Sequence, residues 1–209
     1  MPDFSFEAEA AGRVCGIDEV GRGPLAGPVV AAAVILDRDC FPRTLEEGLD
    51  DSKRLTARER EAAYLALRAS AVIGIGAASA REIDARNILR ASLLAMARAV
   101  AALPRRPELA LVDGNAAPLL SCAVRTIVGG DHLSFSIAAA SVVAKVTRDR
   151  LMRALALRYP GYGWERNFGY PTPEHKAGLA ALGPTPHHRR SFAPLARLSA
   201  EKNAPARSG

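Results

Sequence analysis

Short apolar runs alternate along this chain with segments whose apolar positions recur every three or four residues. Arg13–Val20 alternates loosely between apolar and polar residues and is followed by Gly21-Arg22-Gly23-Pro24, and Val29–Leu36 is a near-continuous apolar run of β-branched residues and alanines. This pattern predicts two strands joined as a hairpin. Further strands are predicted at Val72–Ala77, Leu109–Val112 and Ser121–Val128.

Helix-capping signals mark the intervening segments. Thr56-x-x-Glu59 and Ser79-x-x-Glu82 have the spacing of capping boxes, and Thr172-Pro173 is typical of an N-cap followed by proline. The first box opens a helix that runs to the strand at Val72. Other helices are predicted over Ala80–Arg86, Ile88–Leu103, Ser136–Tyr159, Glu174–Leu182 and Phe192–Leu198, with a loop over Pro160–Pro173 and a frayed tail over Glu201–Gly209. The order of strands and helices predicts an α/β fold.

Length and composition narrow the class of protein. The chain has 209 residues, of which 49% are hydrophobic and 24% charged, which excludes a disordered or fibrous protein. No apolar run approaches the roughly 20 residues that span a bilayer, and the first ten residues do not resemble a signal peptide. We therefore expect a cytoplasmic protein. Cys15, Cys40 and Cys122 lack Cys-x-x-Cys spacing and are predicted to be buried, reduced thiols.

Charge is distributed unevenly along the chain. The net charge is +6, and residues 145–209 hold 12 Lys and Arg against 4 Asp and Glu. Clustered basic side chains attract phosphates and release counterions on binding. The asymmetry favours a polyanionic partner such as nucleic acid over a merely solvated basic face.

The glycines that follow the first strand do not form a dinucleotide-binding motif. They are spaced G-x-G-x-x-x-G, and Pro28 leads into a strand where that motif requires a helix. They can serve the turn alone, through positive φ angles. Because Arg22 lies between two glycines, the backbone there is also bare enough to approach a phosphate or sugar closely.

Four acidic residues lie at the ends of predicted elements: Asp18, Glu19, Asp113 and Asp131. Carboxylates at strand ends can converge on one edge of a sheet, where Mg²⁺ or Mn²⁺ would find oxygen ligands. Two such ions would offset the mutual repulsion of the acids and could promote hydrolysis of a phosphodiester. Asp113 taken alone is more typical of a turn former. Asp18 and Glu19 are neighbours on a strand and should point to opposite faces, so both reach one site only if the strand bends or a backbone carbonyl takes part.

Other polar residues give weaker signals. The four histidines lack the spacing of a metal site or of a hydrolase triad, and His187-His188-Arg189-Arg190 is predicted to be a basic surface run, either solvated or in contact with phosphate. Lys145 and Asp149, four apart on a helix, favour an ion pair, with a phosphate contact by Lys145 as the alternative. Tyr170 could stack on a sugar or base, or simply pack in its loop.

Several blocks of the sequence together resemble the bacterial type 2 ribonucleases H, the ribonuclease HII family. They stand in the family's order from about residue 13 to residue 198. The most specific block is Gly16-Ile17-Asp18-Glu19-Val20-Gly21-Arg22-Gly23-Pro24-Leu25-Ala26-Gly27-Pro28. The others are Asp51-Ser52-Lys53-Arg54-Leu55, Glu82-Ile83-Asp84 with Asn87-Ile88-Leu89, Val112-Asp113-Gly114, residues 139–149, Gly169-Tyr170-Pro171-Thr172 and residues 187–192.

The resemblance implies a ribonuclease H-like fold, with a mixed five-stranded sheet flanked by helices. It divides the chain into a catalytic core at 13–159, a basic helical extension at 160–198 that helps hold the duplex, and a disordered tail at 199–209. Asp18, Glu19, Asp113 and Asp131 fall on the family's catalytic metal-binding positions, for two Mg²⁺ or Mn²⁺ ions. Gly21, Arg22 and Gly23 match its reader of the ribose 2′-hydroxyl, and Tyr170 matches its aromatic contact on the adjacent sugar. Lys53 and Lys145 are expected to contact phosphates.

The implied activity is metal-dependent cleavage of RNA paired with DNA, and incision 5′ of single ribonucleotides embedded in duplex DNA, as in ribonucleotide removal during replication and repair. We expect a monomer. One departure is visible, because Asn167-Phe168 stands where the family usually has His-Lys. Two alternatives remain open at this point: a non-catalytic nucleic-acid-binding module, and a DNA nuclease on the same fold, such as a junction resolvase.

Overall fold

A computed structural model describes residues 2–49, 55–193 and 195–196, and its centre is one mixed sheet of five strands. The strands are β1 (Val14–Val20), β2 (Val29–Leu36), β3 (Ala71–Ala78), β4 (Leu109–Asp113) and β5 (Ala123–Ile127), in the spatial order β3-β2-β1-β4-β5. β1 pairs antiparallel with β2 and parallel with β4. All five predicted strands are confirmed, with ends that shift by one or two residues.

The longer predicted helices are also confirmed. The helices are α1 (Ser5–Ala8), α2 (Arg43–Gly48), α3 (Ala57–Ser70), α4 (Ala80–Arg86), α5 (Ile88–Ala101), α6 (Phe135–Arg158), α7 (Trp164–Asn167) and α8 (Pro173–Leu182). Both capping boxes form, at Thr56 and at Ser79. The prediction missed α1 and α2, and it was wrong to make all of 160–173 a loop, because α7 lies there. Helices of four to six residues are too short to show a helical period.

Helices cover both faces of the sheet. α6 packs with α2 and α3 against one face, in a cluster that includes Ala32 and Val34 of β2. α4 and α5 cover the other face, where Ile17 of β1 and Ala31 and Ala33 of β2 contribute. Alternate residues of each strand therefore serve the two cores, as the period of two in a strand requires.

A close contact between α6 and β1 fixes the helix on the sheet. Gly16 of β1 lies directly under the first turn of α6, and a Cβ on Gly16 would lie 2.0 Å from the carbonyl carbon of Ser136. The run Ala138–Ala140 on α6 is fully buried, and its small side chains let helix and strand approach. Asp18 is two positions along β1 from Gly16, on the same face, and is thereby directed towards α6.

Some predictions are corrected here or lie outside the described residues. Cys15 is buried, but Cys40 is exposed and Cys122 half-buried, so the prediction of three buried thiols was wrong. Ala193, Leu195 and Ala196 are helical, as predicted, whereas 197–198 and the predicted tail at 199–209 lie outside the described residues. In the part of the chain that the structure covers, no helix is both long and apolar enough to cross a membrane.

Candidate active site

The ends of two neighbouring parallel strands bring three of the predicted acids together. Ile17 of β1 is paired with Val112 of β4, so the next residues along these strands, Asp18 and Asp113, are neighbours across the sheet. β4 ends at Asp113, and Glu19 therefore lies beyond the last residue of β4. The parallel pairing of β1 with β4 is what unites acids that lie 95 positions apart in the chain.

The fourth acid reaches the same place through a backbone contact. Asp131 lies on a 3₁₀ turn, Gly130–His132, just before α6, and is 2% exposed. The N–H of Gly130 donates a 2.8 Å hydrogen bond to Oδ1 of Asp113. This bond fastens the turn that carries Asp131 to the end of β4.

All four acids line one cavity of about 420 Å³ at this end of the sheet. Asp18 and Glu19 both border it, although they are consecutive strand residues, because Glu19 lies at the open edge past β4. The cavity is completed by Val20, Arg60, Ser141, Val142, Lys145 and Tyr170. A larger cavity, of about 490 Å³, lies at the opposite end of the sheet and contains none of the predicted site residues.

The electrostatics of the cavity disfavour the ionised forms of Asp18 and Glu19. Burial raises the pKa of Asp18 well above its usual range, and the nearby Glu19 and Asp113 carboxylates raise it further, against hydrogen bonds from Ser141 and from the Glu19 N–H. The Glu19 N–H to Asp18 Oδ1 distance is 2.7 Å. Burial also raises the pKa of Glu19, and Arg22 opposes this shift. Positive charge brought into the cavity would restore the ionised forms.

The donor set suits a hard divalent cation. Asp18, Glu19, Asp113 and Asp131 offer only carboxylate oxygens, which Mg²⁺ and Mn²⁺ prefer, and their negative charges are crowded and largely buried. Within the described ranges, no three His, Cys, Asp or Glu side chains already form a ligand set closed around one point. The acids border the cavity together and agree with such ions in charge and chemistry.

The glycine turn and Tyr170 lie beside the acids. Nη1 of Arg22 is 3.1 Å from Oε1 of Glu19, and the Arg22 side chain is 52% exposed. A Cβ on Gly23 would lie 3.6 Å from Cε1 of Tyr170, so the turn lies next to that ring. Tyr170 is 41% exposed and borders the cavity. Gly21 has a φ of +95° and approaches Arg148 so closely that a side chain on it would collide with the guanidinium group.

Lys145 also borders the cavity and forms the predicted ion pair. Its Nζ donates to Oδ1 of Asp149 at 2.8 Å. The same Nζ lies 4.8 Å from the centre of the Phe168 ring, and the guanidinium of Arg153 lies 5.3 Å from that ring. Phe168, at the position of the expected family lysine, thus holds two cations against an aromatic face. Lys53, the other predicted phosphate contact, lies outside the described residues.

Two further polar residues border the cavity without having been predicted as site residues. Arg60, on α3, is half-buried and donates from Nη2 to the carbonyl of Leu55. Ser141, on α6, donates to Asp18. Ser141 shares a helix face with Lys145 in the sequence, which could have indicated it, whereas Arg60 lies in an ordinary amphipathic pattern and only the packing of α3 beside α6 brings it to the site.

The predicted basic surface run at 187–190 was wrong for two of its four residues. His188 is 2% exposed and Arg189 is fully buried, while Arg190 is exposed. Nδ1 of His188 accepts a hydrogen bond from the Thr185 N–H, and the Arg189 guanidinium donates to backbone carbonyls. Hydrogen bonds inside the protein replace the hydrogen bonds that these side chains would make to water. The pattern of charges in the sequence does not reveal those hydrogen bonds.

The fold is a ribonuclease H-like fold, as predicted. It has a mixed five-stranded sheet with helices on both faces, and its acids lie at the adjoining ends of β1 and β4. Comparison with known proteins agrees. The crystal structure of ribonuclease H2 from Pyrococcus horikoshii OT3 superposes with a TM-score of 0.78 at 27% identity, covering 90% of this chain and 98% of that one. Bst-RNase HIII in complex with Mn²⁺ has a TM-score of 0.68 at 20% identity, covers 91% of this chain and 70% of that one, and supports the fold alone.

The sequence comparisons identify the family. A family model described as ribonuclease HII matches residues 15–195. A ribonuclease HII from Granulibacter bethesdensis is 61% identical over 202 residues, which cover 96% of this chain and 92% of the relative. The chain belongs to the ribonuclease HII family. It is therefore a ribonuclease H, a hydrolase of a metal-dependent family that acts on RNA–DNA hybrids, rather than a non-catalytic binding module.

Proposed function

We propose that this enzyme incises the phosphodiester on the 5′ side of a ribonucleotide, both in RNA–DNA hybrids and at single ribonucleotides within duplex DNA. The products are a 3′-hydroxyl and a 5′-phosphate. One observation carries the proposal: four acids from three separate segments border one cavity, and the Gly21-Arg22-Gly23 turn and Tyr170 lie at its edge.

The acids are proposed to hold two Mg²⁺ or Mn²⁺ ions. Asp18 and Asp113 are the central pair, because they are neighbours across the β1–β4 junction, and Glu19 and Asp131 border the same cavity. The chemistry that such ions supply when bound is activation of a water molecule and stabilisation of the leaving oxygen. Ser141 and the N–H groups of Glu19 and Gly130 hold the Asp18 and Asp113 carboxylates in place.

Recognition of the ribonucleotide is proposed to use the turn and the tyrosine. The 2′-hydroxyl distinguishes RNA from DNA at a given position, and a turn with bare glycines lets backbone groups approach it. The Tyr170 ring lies next to Gly23 and is partly exposed, and we infer that it packs on the neighbouring sugar. This arrangement favours a ribonuclease over a DNA nuclease on the same fold, which would have no need to detect that hydroxyl.

Duplex binding is proposed to use the basic second half of α6 and the segment that follows it, with the protein acting as a monomer. Lys145 and Arg153 lie together against Phe168, next to the cavity, and can meet the phosphates that flank the incised position.

The test is a paired cleavage assay. A duplex that bears one ribonucleotide and its all-DNA twin are incubated with the enzyme in Mg²⁺, in Mn²⁺ and in chelator, and the products are mapped at nucleotide resolution. We expect one cut, 5′ of the ribonucleotide, in either metal, and none in the twin or in chelator. Asp113→Asn should reduce this cleavage by at least about 1000-fold while the duplex is still bound.

The matched control is Asp39→Asn, which removes an exposed carboxylate at the opposite end of the sheet. It should cleave like the wild type. Equal cleavage of the all-DNA twin would contradict ribonucleotide recognition. Full activity of Asp113→Asn would remove that residue from the proposed metal site.

A further inference from the structure

Two arginines are buried under the glycine turn, where a surface role in binding phosphate is impossible. Arg148 of α6 and Arg189 both have no exposed surface. A guanidinium group is seldom buried without a carboxylate partner. Among the residues that the structure describes, however, the hydrogen-bond partners of both guanidinium groups are backbone carbonyls.

Arg189 holds the turn itself. Its Nη2 donates to the carbonyl of Gly21 at 2.5 Å, its Nη1 to that of Arg22 at 2.9 Å and its Nε to that of Gly27 at 3.0 Å. In a trans peptide the N–H points opposite to the C=O. Because the Gly21 and Arg22 carbonyls are turned towards Arg189, the N–H groups of Arg22 and Gly23 point away from this buried side chain.

Arg148 joins the same loop to the segment that carries Tyr170. Its Nε donates to the carbonyl of Pro28 at 2.9 Å and its Nη2 to that of Ala26 at 3.1 Å. Its Nη1 donates to the carbonyl of Phe168, two residues before Tyr170, at 3.0 Å. One planar group therefore fixes the relative position of the loop and of the tyrosine segment.

Backbone bonds reinforce this arrangement. The N–H of Leu25 donates to the carbonyl of Gly169 at 2.8 Å, and the N–H of Arg189 donates to the carbonyl of Leu25 at 2.8 Å. The loop 21–28 thus lies between the segments 168–170 and 187–189. A Cβ on Gly169 would lie 2.5 Å from the carbonyl oxygen of Ala26, so these segments are in direct contact.

The two guanidinium groups remain charged. Burial lowers the pKa of Arg148 to about 10 and that of Arg189 to about 9, and the charge of Arg148 contributes to the shift of Arg189. Both values lie above neutral pH. The positive charges therefore persist and are stabilised by the carbonyl dipoles of the loop, which makes the carbonyl orientation the low-energy one.

We propose that Arg148 and Arg189 are positioning residues that set the geometry of the Gly21-Arg22-Gly23 turn relative to Tyr170, and so determine how strongly the enzyme prefers a ribonucleotide to a deoxyribonucleotide. The inference rests on the proposed function, in which the turn and Tyr170 read the ribose. It assigns to buried residues, which cannot touch the substrate, a share in substrate discrimination.

The test measures binding of the two duplexes, with and without the ribonucleotide, in an Asp113→Asn background that prevents cleavage. Arg189→Lys keeps the charge, but a compact ammonium group cannot meet three carbonyls that are arranged around a planar fork. We expect the ratio of the two dissociation constants to move at least about 10-fold towards unity, while affinity for the all-DNA duplex changes less than about twofold. Arg105→Lys, on an exposed arginine at the other end of the sheet, is the control and should leave the ratio unchanged.

The outcomes separate this inference from the proposed function. If the parent protein binds the two duplexes equally, the inference fails before any arginine is changed, whereas the proposed incision is judged separately by the cleavage assay. If the parent discriminates and a folded Arg189→Lys keeps the full ratio, or loses affinity for both duplexes alike, the positioning role is overturned. Thermal unfolding establishes that each variant is folded. If Arg189→Lys does not fold, Arg148→Lys is measured in its place, and it leaves the hydrogen bonds to Gly21 and Arg22 intact. The ratio of the two dissociation constants is then expected to move towards unity in the same way, and an unchanged ratio overturns the positioning role.

Discussion

Acid should destabilise this protein through a pair of buried histidines next to the Tyr170 segment. Nε1 of Trp164 donates to Nε2 of His175 at 3.0 Å, so Nδ1 of His175 carries the proton and donates to the carbonyl of Tyr170 at 2.9 Å. Nε2 of His188 lies 3.1 Å from Nε2 of His175, so the N–H groups of Trp164 and His188 share the single lone pair of that nitrogen. Nδ1 of His188 accepts from the N–H of Thr185 at 2.9 Å. Both rings are neutral, and neither has room for a second proton.

The size of the effect follows from His188. Burial, together with His175 and His187, lowers its pKa from 6.5 to about 4. Between these values the unfolded chain binds a proton that the folded protein excludes, so the stability contributed by the neutral ring is complete above pH 6.5 and is lost as the pH falls towards 4. The loss amounts to about 2 kcal/mol at pH 5 and about 3 kcal/mol at pH 4. The pKa of His175 is also lowered, chiefly by burial, and adds to the trend in the same direction.

Urea unfolding at pH 7, 6 and 5 measures this loss in the wild type and in His188→Asn. The Asn side-chain oxygen can still accept from Thr185, but the group does not titrate. We expect the variant to be less stable at pH 7 and the difference between the two proteins to shrink by about 2 kcal/mol by pH 5. If the two stability curves run parallel from pH 7 to pH 5, His188 is not the buried neutral base described here.

Three further predictions concern packing, charge and thiol reactivity. Gly16→Ala should lower the free energy of unfolding by about 3 kcal/mol, because the new methyl group would collide with the α6 backbone. The control Gly48→Ala has open space around the new methyl group and should change the free energy of unfolding by less than about 1 kcal/mol. Urea titration of both variants measures the two effects. Phe168→Lys adds a cation beside Lys145, so the slope of the logarithm of the duplex-binding constant against the logarithm of the salt concentration should steepen by about one charge. Fluorescence anisotropy measures this slope, and an unchanged slope would contradict a position of residue 168 that faces the phosphates. A thiol reagent should label exposed Cys40 in the folded protein, but should label Cys15, whose pKa burial raises to about 12, only after unfolding, as mass spectrometry can show.

The sequence by itself determined the elements whose physics is local. The capping boxes at Thr56 and Ser79 depend on hydrogen bonds between residues three apart, and both formed as predicted. The long helix α6 and the β1–β2 hairpin follow from apolar spacing within a few turns or strand residues. The order of motif blocks was also enough to indicate the family, since such blocks need no three-dimensional information to be compared.

The tertiary structure decided which of these local features meet. The placement of Asp18 beside Asp113 required the parallel pairing of β1 with β4, and no spacing in the chain specifies that pairing. The burial of Arg189 was missed because its partner carbonyl on Arg22 lies 167 positions away. A charged residue is predicted to be exposed unless its distant hydrogen-bond partners are known. Long-range backbone groups carry no side-chain signature, so hydrogen bonds to them become visible only when the chain is folded.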